Sequence, residues 1–154
     1  MTYEQILERC DERAAKVSKC CKTHVGAMIY NKDKTVIFGC NTTMPDNCKE
    51  KGCHRMIVYG DDSKNHRLPS DCYAIHAEVC AISEAAKSGI RTYGAVIYVS
   101  RYPCEACARA IVTAGIKKVV YGGSIEISEQ TAEIFKTNNV TVRYIPTDFD
   151  TEER

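Results

Sequence analysis

The sequence predicts an α/β fold, and three observations carry that prediction. Apolar residues recur at helical spacing over residues 2–19, two short apolar runs with a polar turn between them follow, and from residue 77 onward helical and strand patterns alternate. Strands alternating with helices imply right-handed crossovers and a sheet whose second half is mainly parallel.

Each element has a local reason. Thr2, followed three residues later by Gln5, makes a capping-box pattern. Tyr3, Ile6, Leu7, Cys10, Ala14 and Val17 then repeat along one helical face, so the first helix is expected to end near Lys19. Residues 25–30 and 35–41 are apolar runs around a polar turn at 31–34, the pattern of an antiparallel hairpin. Residues 42–73 break the rhythm: they are polar, lack a sustained period, and carry Cys48, Cys53, His54, His66 and Cys72. A structureless connection of that length is uncommon inside a compact domain unless something pins it, and a metal is the expected pin.

Beyond it, residues 77–88 read as a helix closed by Gly89, and 95–99 as a buried strand. Residues 104–114 read as a helix with Pro103 at its start and Gly115 at its end, the asymmetry those two residues favour. Residues 119–121 form a short strand, 129–137 a helix, and 140–145 a β-branched strand. From Thr147 the chain reads as a polar tail, which makes 1–146 one domain with an insertion at 42–73 and 147–154 its C-terminal extension.

The 154 residues suit one hydrophobic core. Hydrophobic residues make up 44% and charged residues 27%, a balance that excludes a disordered chain. The formal charge is +1, with Lys and Arg interleaved among Asp and Glu, so a long nucleic-acid backbone is not the expected partner. A small anion held by one or two cations fits. No early segment has the apolar core of a signal peptide and no run reaches membrane-spanning length, so the expected compartment is the cytoplasm and no membrane partner is expected. Thiols stay reduced there, and ten cysteines in a reducing compartment point to metal rather than to a disulfide framework.

The chemistry concentrates in His76-Ala77-Glu78 at one helix start and Pro103-Cys104-Glu105-Ala106-Cys107 at another. Cys104 and Cys107 are three apart and share a helix face. Two thiolates and one imidazole give zinc three protein ligands and leave its fourth tetrahedral position open. Helix N-termini favour thiolate over thiol, and zinc lowers the pKa of its water to about 7. Glu78 is the candidate to move the proton. His76 and Glu78 are two apart and cannot both point sideways from one helix, so they converge only if the ion sits off the helix end. The order His-x-Glu followed by Pro-Cys-x-x-Cys is the signature of zinc-dependent nucleobase deaminases.

On these residues the chain resembles the deoxycytidylate deaminase branch of the cytidine deaminase-like family. The likeness runs from about Lys19 to Ile145. It includes Cys20-Cys21 shortly before Val25-Gly26-Ala27, then Gly39-Cys40-Asn41, Ile75 to Glu78, Pro103 to Cys107, and residues 114–121. It implies a three-layer α/β/α fold around a five-stranded mixed sheet, and hydrolytic deamination of dCMP to dUMP. Another cytosine nucleoside or nucleotide, or an amino-heterocycle, is the alternative substrate, and a nucleic-acid-directed deaminase ranks behind both.

The resemblance also implies roles. His76, Cys104 and Cys107 would hold the catalytic zinc and Glu78 would shuttle protons. The N–H of Ala77 would bind the pyrimidine carbonyl, Asn41 would meet the sugar, and Val25, Gly26 and Ala27 would line the base pocket. Lys87 stands where some relatives place an Arg that meets the phosphate. Asn41 as a turn residue, residues 25–27 as strand core, and Lys87 as a solvated helix-end cation remain open. Gly39-Cys40-Asn41-Thr42 departs from a Gly-Tyr-Asn-Gly stretch associated with nucleotide triphosphate regulation, and Cys80 replaces an Asn often found there.

Cys20, Cys48, Cys53, His66 and Cys72 are similar to the extra positions that bacterial and phage members use for a structural zinc. Cys20, Cys48, His66 and Cys72 are the favoured set, with Cys53 as an alternative ligand, while Cys10, Cys21, Cys40 and His54 go to packing or to no role. By the same resemblance the insertion closes over the active site and helps form subunit contacts, so the expected assembly is a homo-oligomer.

Overall fold

A computed structural model describes residues 1–43, 48–65 and 72–149 of the chain. Helix α1 spans Tyr3–Val17 and opens with the predicted capping box: Thr2 accepts from the N–H of Gln5, and Gln5 accepts from the N–H of Thr2. Strands β1 (Gly26–Tyr30) and β2 (Val36–Cys40) pair antiparallel as the hairpin. Asn31 supports the turn by accepting from the N–H of Thr35, and Lys34 takes the left-handed conformation at φ 63°.

The insertion is more ordered than its composition suggests. It holds β3 (Thr42–Thr43), α2 (Cys48–Lys51), α3 (His54–Tyr59) and a 3₁₀ turn at Gly60–Asn65, and β3 pairs antiparallel with β4 (Ala74–Ile75). None of these pieces is long enough to show a period, and α3 buries none of its residues, so amphipathic patterning had nothing to report. His66 lies outside the described residues.

The rest follows the alternation: α4 (Ala77–Lys87), β5 (Val96–Val99), α5 (Glu105–Thr113), β6 (Lys118–Tyr121), α6 (Glu129–Thr137) and β7 (Thr141–Tyr144). The main sheet has five strands in the order β2-β1-β5-β6-β7. β1 pairs antiparallel with β5, while β5, β6 and β7 run parallel, so the sheet is mixed with a parallel half.

Strand periodicity of two builds the layers. Ala27, Ile29, Ile97, Val99, Val119 and Tyr121 share a core with Ala77, Ala81 and Ala85 of α4, Ala108 and Ile111 of α5, and Phe135 of α6. The intervening Met28, Tyr98 and Val120 pack with Ile6, Leu7 and Cys10 of α1. The sheet is thus sandwiched between α1 and the three later helices. Burial of each large apolar side chain in these cores contributes about 1.5–3 kcal/mol.

Two glycines allow the layers to close. A Cβ on Gly39 would stand 2.6 Å from the Cα of Ala81, so β2 touches α4 backbone to backbone. A Cβ on Gly26 would stand 2.7 Å from the carbonyl carbon of Cys10, on α1. The tail also departs from expectation. Thr147 docks on Gly123, whose N–H it receives at 2.6 Å, and Phe149 packs against the α1 core, because an apolar ring so near the end finds a surface to cover. Residues 150–154 lie outside the described residues. No helix among the described residues is long and apolar enough to cross a membrane.

Candidate active site

Two helix N-termini meet here, and two of the three candidate ligands, His76 and Cys104, are their caps. His76 is the N-cap of α4, extended at φ −65° and ψ 153°, and Cys104 is the N-cap of α5 at φ −81° and ψ 172°. Neither uses its side chain to cap its own helix. As an N-cap the imidazole leaves the chain before the first helical turn, so helical spacing does not constrain it. Helix α5 accordingly begins at Glu105, one residue later than predicted, with Cys107 buried in its first turn.

His76 Nδ1 lies 3.3 Å from Cys107 Sγ and 3.5 Å from Cys104 Sγ. All three ligand atoms fall within 4.8 Å of one another, and no other group of three or more His, Cys, Asp or Glu does so among the described residues. Ligands of a tetrahedral zinc at about 2.0–2.1 Å (N) and 2.3 Å (S) stand roughly 3.5 Å apart, so the donor set fits that ion. The Cys104 thiol is lowered to about 3 by the hydrogen bond it shares with Cys107; burial opposes this and His76 adds to it. It is therefore a thiolate at neutral pH, the form that binds metal.

Glu78 is fully buried in the first turn of α4. Ala77 is the first helical residue, and its N–H belongs to the group that has no partner within the helix. Val25 and Ala27 lie in the same core as Ala77.

The other nominated residues fall differently. Gly26 turns its bare Cα toward α1, and its role is close packing, with its N–H and carbonyl bonded to Ser100 Oγ and N at 3.0 and 2.9 Å. Asn41 is 4% exposed: its Oδ1 accepts from Ser18 Oγ and the N–H of Val25, and its Nδ2 donates to the carbonyl of Thr23. That leaves one Nδ2 hydrogen as the most this amide offers a ligand. Lys87 ends α4, exposed and paired with Glu84 at 2.9 Å. Ten residues of helix, about 15 Å, separate it from Ala77, so the structure does not bring it to His76 and Glu78 within one chain.

Burial raises the Cys48 thiol first, and the nearby charges of Cys20, Cys21, Cys53 and Cys72 raise it further. Cys21 therefore joins a neighbourhood from which the sequence reading left it out. The sequence reading gives Arg101 no role. It is 2% exposed in the loop between β5 and α5, and its Nη1 donates to Thr23 Oγ1 at 2.9 Å.

A family model described as the cytidine and deoxycytidylate deaminase zinc-binding region matches residues 1–123. ComE operon protein 2 of Bacillus subtilis (strain 168) is 32% identical over 133 residues, which cover 85% of this chain and 65% of that protein. A deoxycytidylate deaminase of Schizosaccharomyces pombe is 33% identical over 136 residues, covering 86% of this chain and 41% of that protein. The chain thus spans between about two fifths and two thirds of these relatives' lengths. Among solved structures, a dCMP deaminase from the cyanophage S-TIM5 in complex with dCMP and dUMP superposes with a TM-score of 0.66 at 22% identity, covering 92% of this chain and 95% of that one. That likeness establishes the fold.

Proposed function

The chain belongs to the cytidine and deoxycytidylate deaminase family, and from that premise we propose that it hydrolyses dCMP to dUMP and ammonia. The observation that carries this reading is the convergence of His76, Cys104 and Cys107, with Glu78 fully buried two residues beyond His76. Deaminase relatives and a dCMP-bound neighbour support the nucleotide as substrate.

His76, Cys104 and Cys107 would hold a zinc ion, whose chemistry is to make water nucleophilic at neutral pH. The residues of the chain do the rest. Glu78 would accept one proton of the attacking water and deliver it to the ring nitrogen N3, which keeps it in the product, and would then move the second proton, from the new hydroxyl on the ring carbon, to the amino group, which departs as ammonia. The burial of Glu78 keeps those protons out of bulk solvent. The Ala77 N–H donates to the pyrimidine carbonyl, and the α4 dipole behind it favours negative charge there. Val25 and Ala27 wall the base, and the remaining Asn41 N–H faces a sugar oxygen. Ammonia release from a panel of cytosine, deoxycytidine, cytidine, CMP and dCMP tests the assignment; dCMP is expected to lead, and a nucleoside in first place would move the reading to the alternative substrate.

We further propose a structural zinc held by Cys20, Cys48, Cys72 and His66, with Cys53 or Cys21 able to replace one of them. Burial of the Cys48 thiol, with Cys20, Cys21, Cys53 and Cys72 near enough to raise it further, supports it. Such a site would fold the insertion, which closes over the active site, and the apolar Met56, Ile57 and Val58 that α3 exposes would serve contact between copies in a homo-oligomer. Metal analysis is expected to give two zinc ions per chain, falling to one in Cys48→Ser with a lower melting temperature. A single zinc in the unmodified protein would remove this second site. None of the ten cysteines is disulfide-bonded, which suits the reducing cytoplasm as its place of work.

A further inference from the structure

We propose that Ser18 is a positioning residue whose hydroxyl locks the Asn41 side-chain amide, so that the amide offers the sugar an N–H and never its oxygen. The inference rests on the deaminase reading, in which Asn41 meets the sugar, and adds the group that decides what Asn41 presents there.

Ser18 is the C-cap of α1. Its N–H bonds the carbonyl of Ala14, and at φ −62° and ψ 137° the chain turns out of the helix. The side chain is delivered to the residue that follows β2 and is buried there, 2% exposed. Its Oγ lies 2.7 Å from Asn41 Oδ1 and 2.9 Å from the Asn41 carbonyl oxygen, and it receives the N–H of Cys20 at 3.3 Å. Both Asn41 oxygens are acceptors, so the one hydroxyl hydrogen is directed at them.

Two backbone groups fix which end of the amide is which. The N–H of Val25 can only donate, and it meets Oδ1 at 2.9 Å; the carbonyl of Thr23 can only accept, and it meets Nδ2 at 2.9 Å. Turning the amide over would set donor against donor at Val25, oxygen against oxygen at Thr23, and would deprive the Ser18 hydroxyl of its side-chain acceptor. Oδ1 is thus filled by two donors, and one Nδ2 hydrogen stays uncommitted. The same segment is tied to the zinc loop, because Thr23 Oγ1 receives Arg101 Nη1 and Gly26 bonds Ser100.

The consequence is chemical. A 2′-deoxynucleotide carries one free sugar hydroxyl, at 3′, and a fixed N–H donor pairs with its oxygen. A site built to hydrogen-bond a hydroxyl rejects the analogue that lacks it. Without the Ser18 hydroxyl the amide is held by two side-chain bonds instead of three, to Val25 and Thr23. Neither end of it is left unpartnered, and the backbone cap of α1 is untouched, so Ser18→Ala is expected to fold.

The test compares binding of dUMP and of its 2′,3′-dideoxy analogue to the zinc-loaded protein, to Ser18→Ala and to Ser18→Thr, with the melting temperature of each recorded. The unmodified protein is expected to bind dUMP about tenfold more tightly than the analogue. In Ser18→Ala, dUMP should weaken about five- to tenfold while the analogue stays within about twofold, and Ser18→Thr, which keeps the hydroxyl, should restore the preference. Parallel weakening of both ligands, unchanged dUMP affinity, a folded Ser18→Thr that behaves like Ser18→Ala, or a Ser18→Ala that does not fold would each overturn the inference. Ammonia release from dCMP by the unmodified protein is read separately: its absence removes the deaminase reading, while the ratio of the two affinities still decides the role of Ser18.

Discussion

Glu78→Gln should stop turnover of dCMP while leaving zinc in place. The side chain is fully buried in the first turn of α4, and the amide matches the carboxylate in size, so the packing around it need not change. Only proton transfer is removed, because an amide neither accepts nor returns a proton at neutral pH. A positioned acid–base group contributes about 10²–10⁴-fold, and one group here serves both the attack and the departure of ammonia, so the loss belongs at the upper end of that range or beyond. Zinc content measured on the same sample separates this from damage to the metal site. Turnover within about tenfold of the unmodified protein would take the proton shuttle away from Glu78.

Cys107→Ala should have a still larger effect by a different route. Cys107 sits 1% exposed in the first turn of α5, 3.3 Å from the His76 imidazole, and alanine is the best helix former available there. The helix is expected to persist, with circular dichroism unchanged, while the metal site falls to two protein ligands. Zinc at this site should be lost on dialysis, and dCMP deamination should fall by at least about 10⁴-fold. If the insertion holds the proposed second zinc, the total drops by one per chain rather than to none. A variant that kept both its metal and its activity would show that the ion is held by other residues.

The regular part of the molecule was legible because each element carried its own signal. The capping box at Thr2 and Gln5 starts α1, Asn31 marks the hairpin turn, and Pro103 and Gly115 bracket α5. The three candidate metal ligands were legible as a spacing, yet their geometry was not. Whether His76 and Glu78 meet one ion depends on His76 being an N-cap, and a sequence does not print its backbone angles. Three other readings needed contacts across the fold. Gly26 is bare because α1 approaches it, the Asn41 amide is mostly consumed by Ser18, Thr23 and Val25, and Lys87 ends a helix whose other end holds the site. The partners of Arg101 are equally remote, since Thr23 is 78 residues away in the chain.

The most direct measurement is to supply dCMP to the zinc-loaded protein in water labelled with heavy oxygen and to weigh the pyrimidine product. Hydrolysis at the site of His76, Cys104, Cys107 and Glu78 predicts one ammonia released for each dUMP formed, with one labelled oxygen on the carbon that lost its amino group. A protein carrying its full zinc that forms neither product from dCMP nor from any other cytosine nucleoside or nucleotide would contradict it.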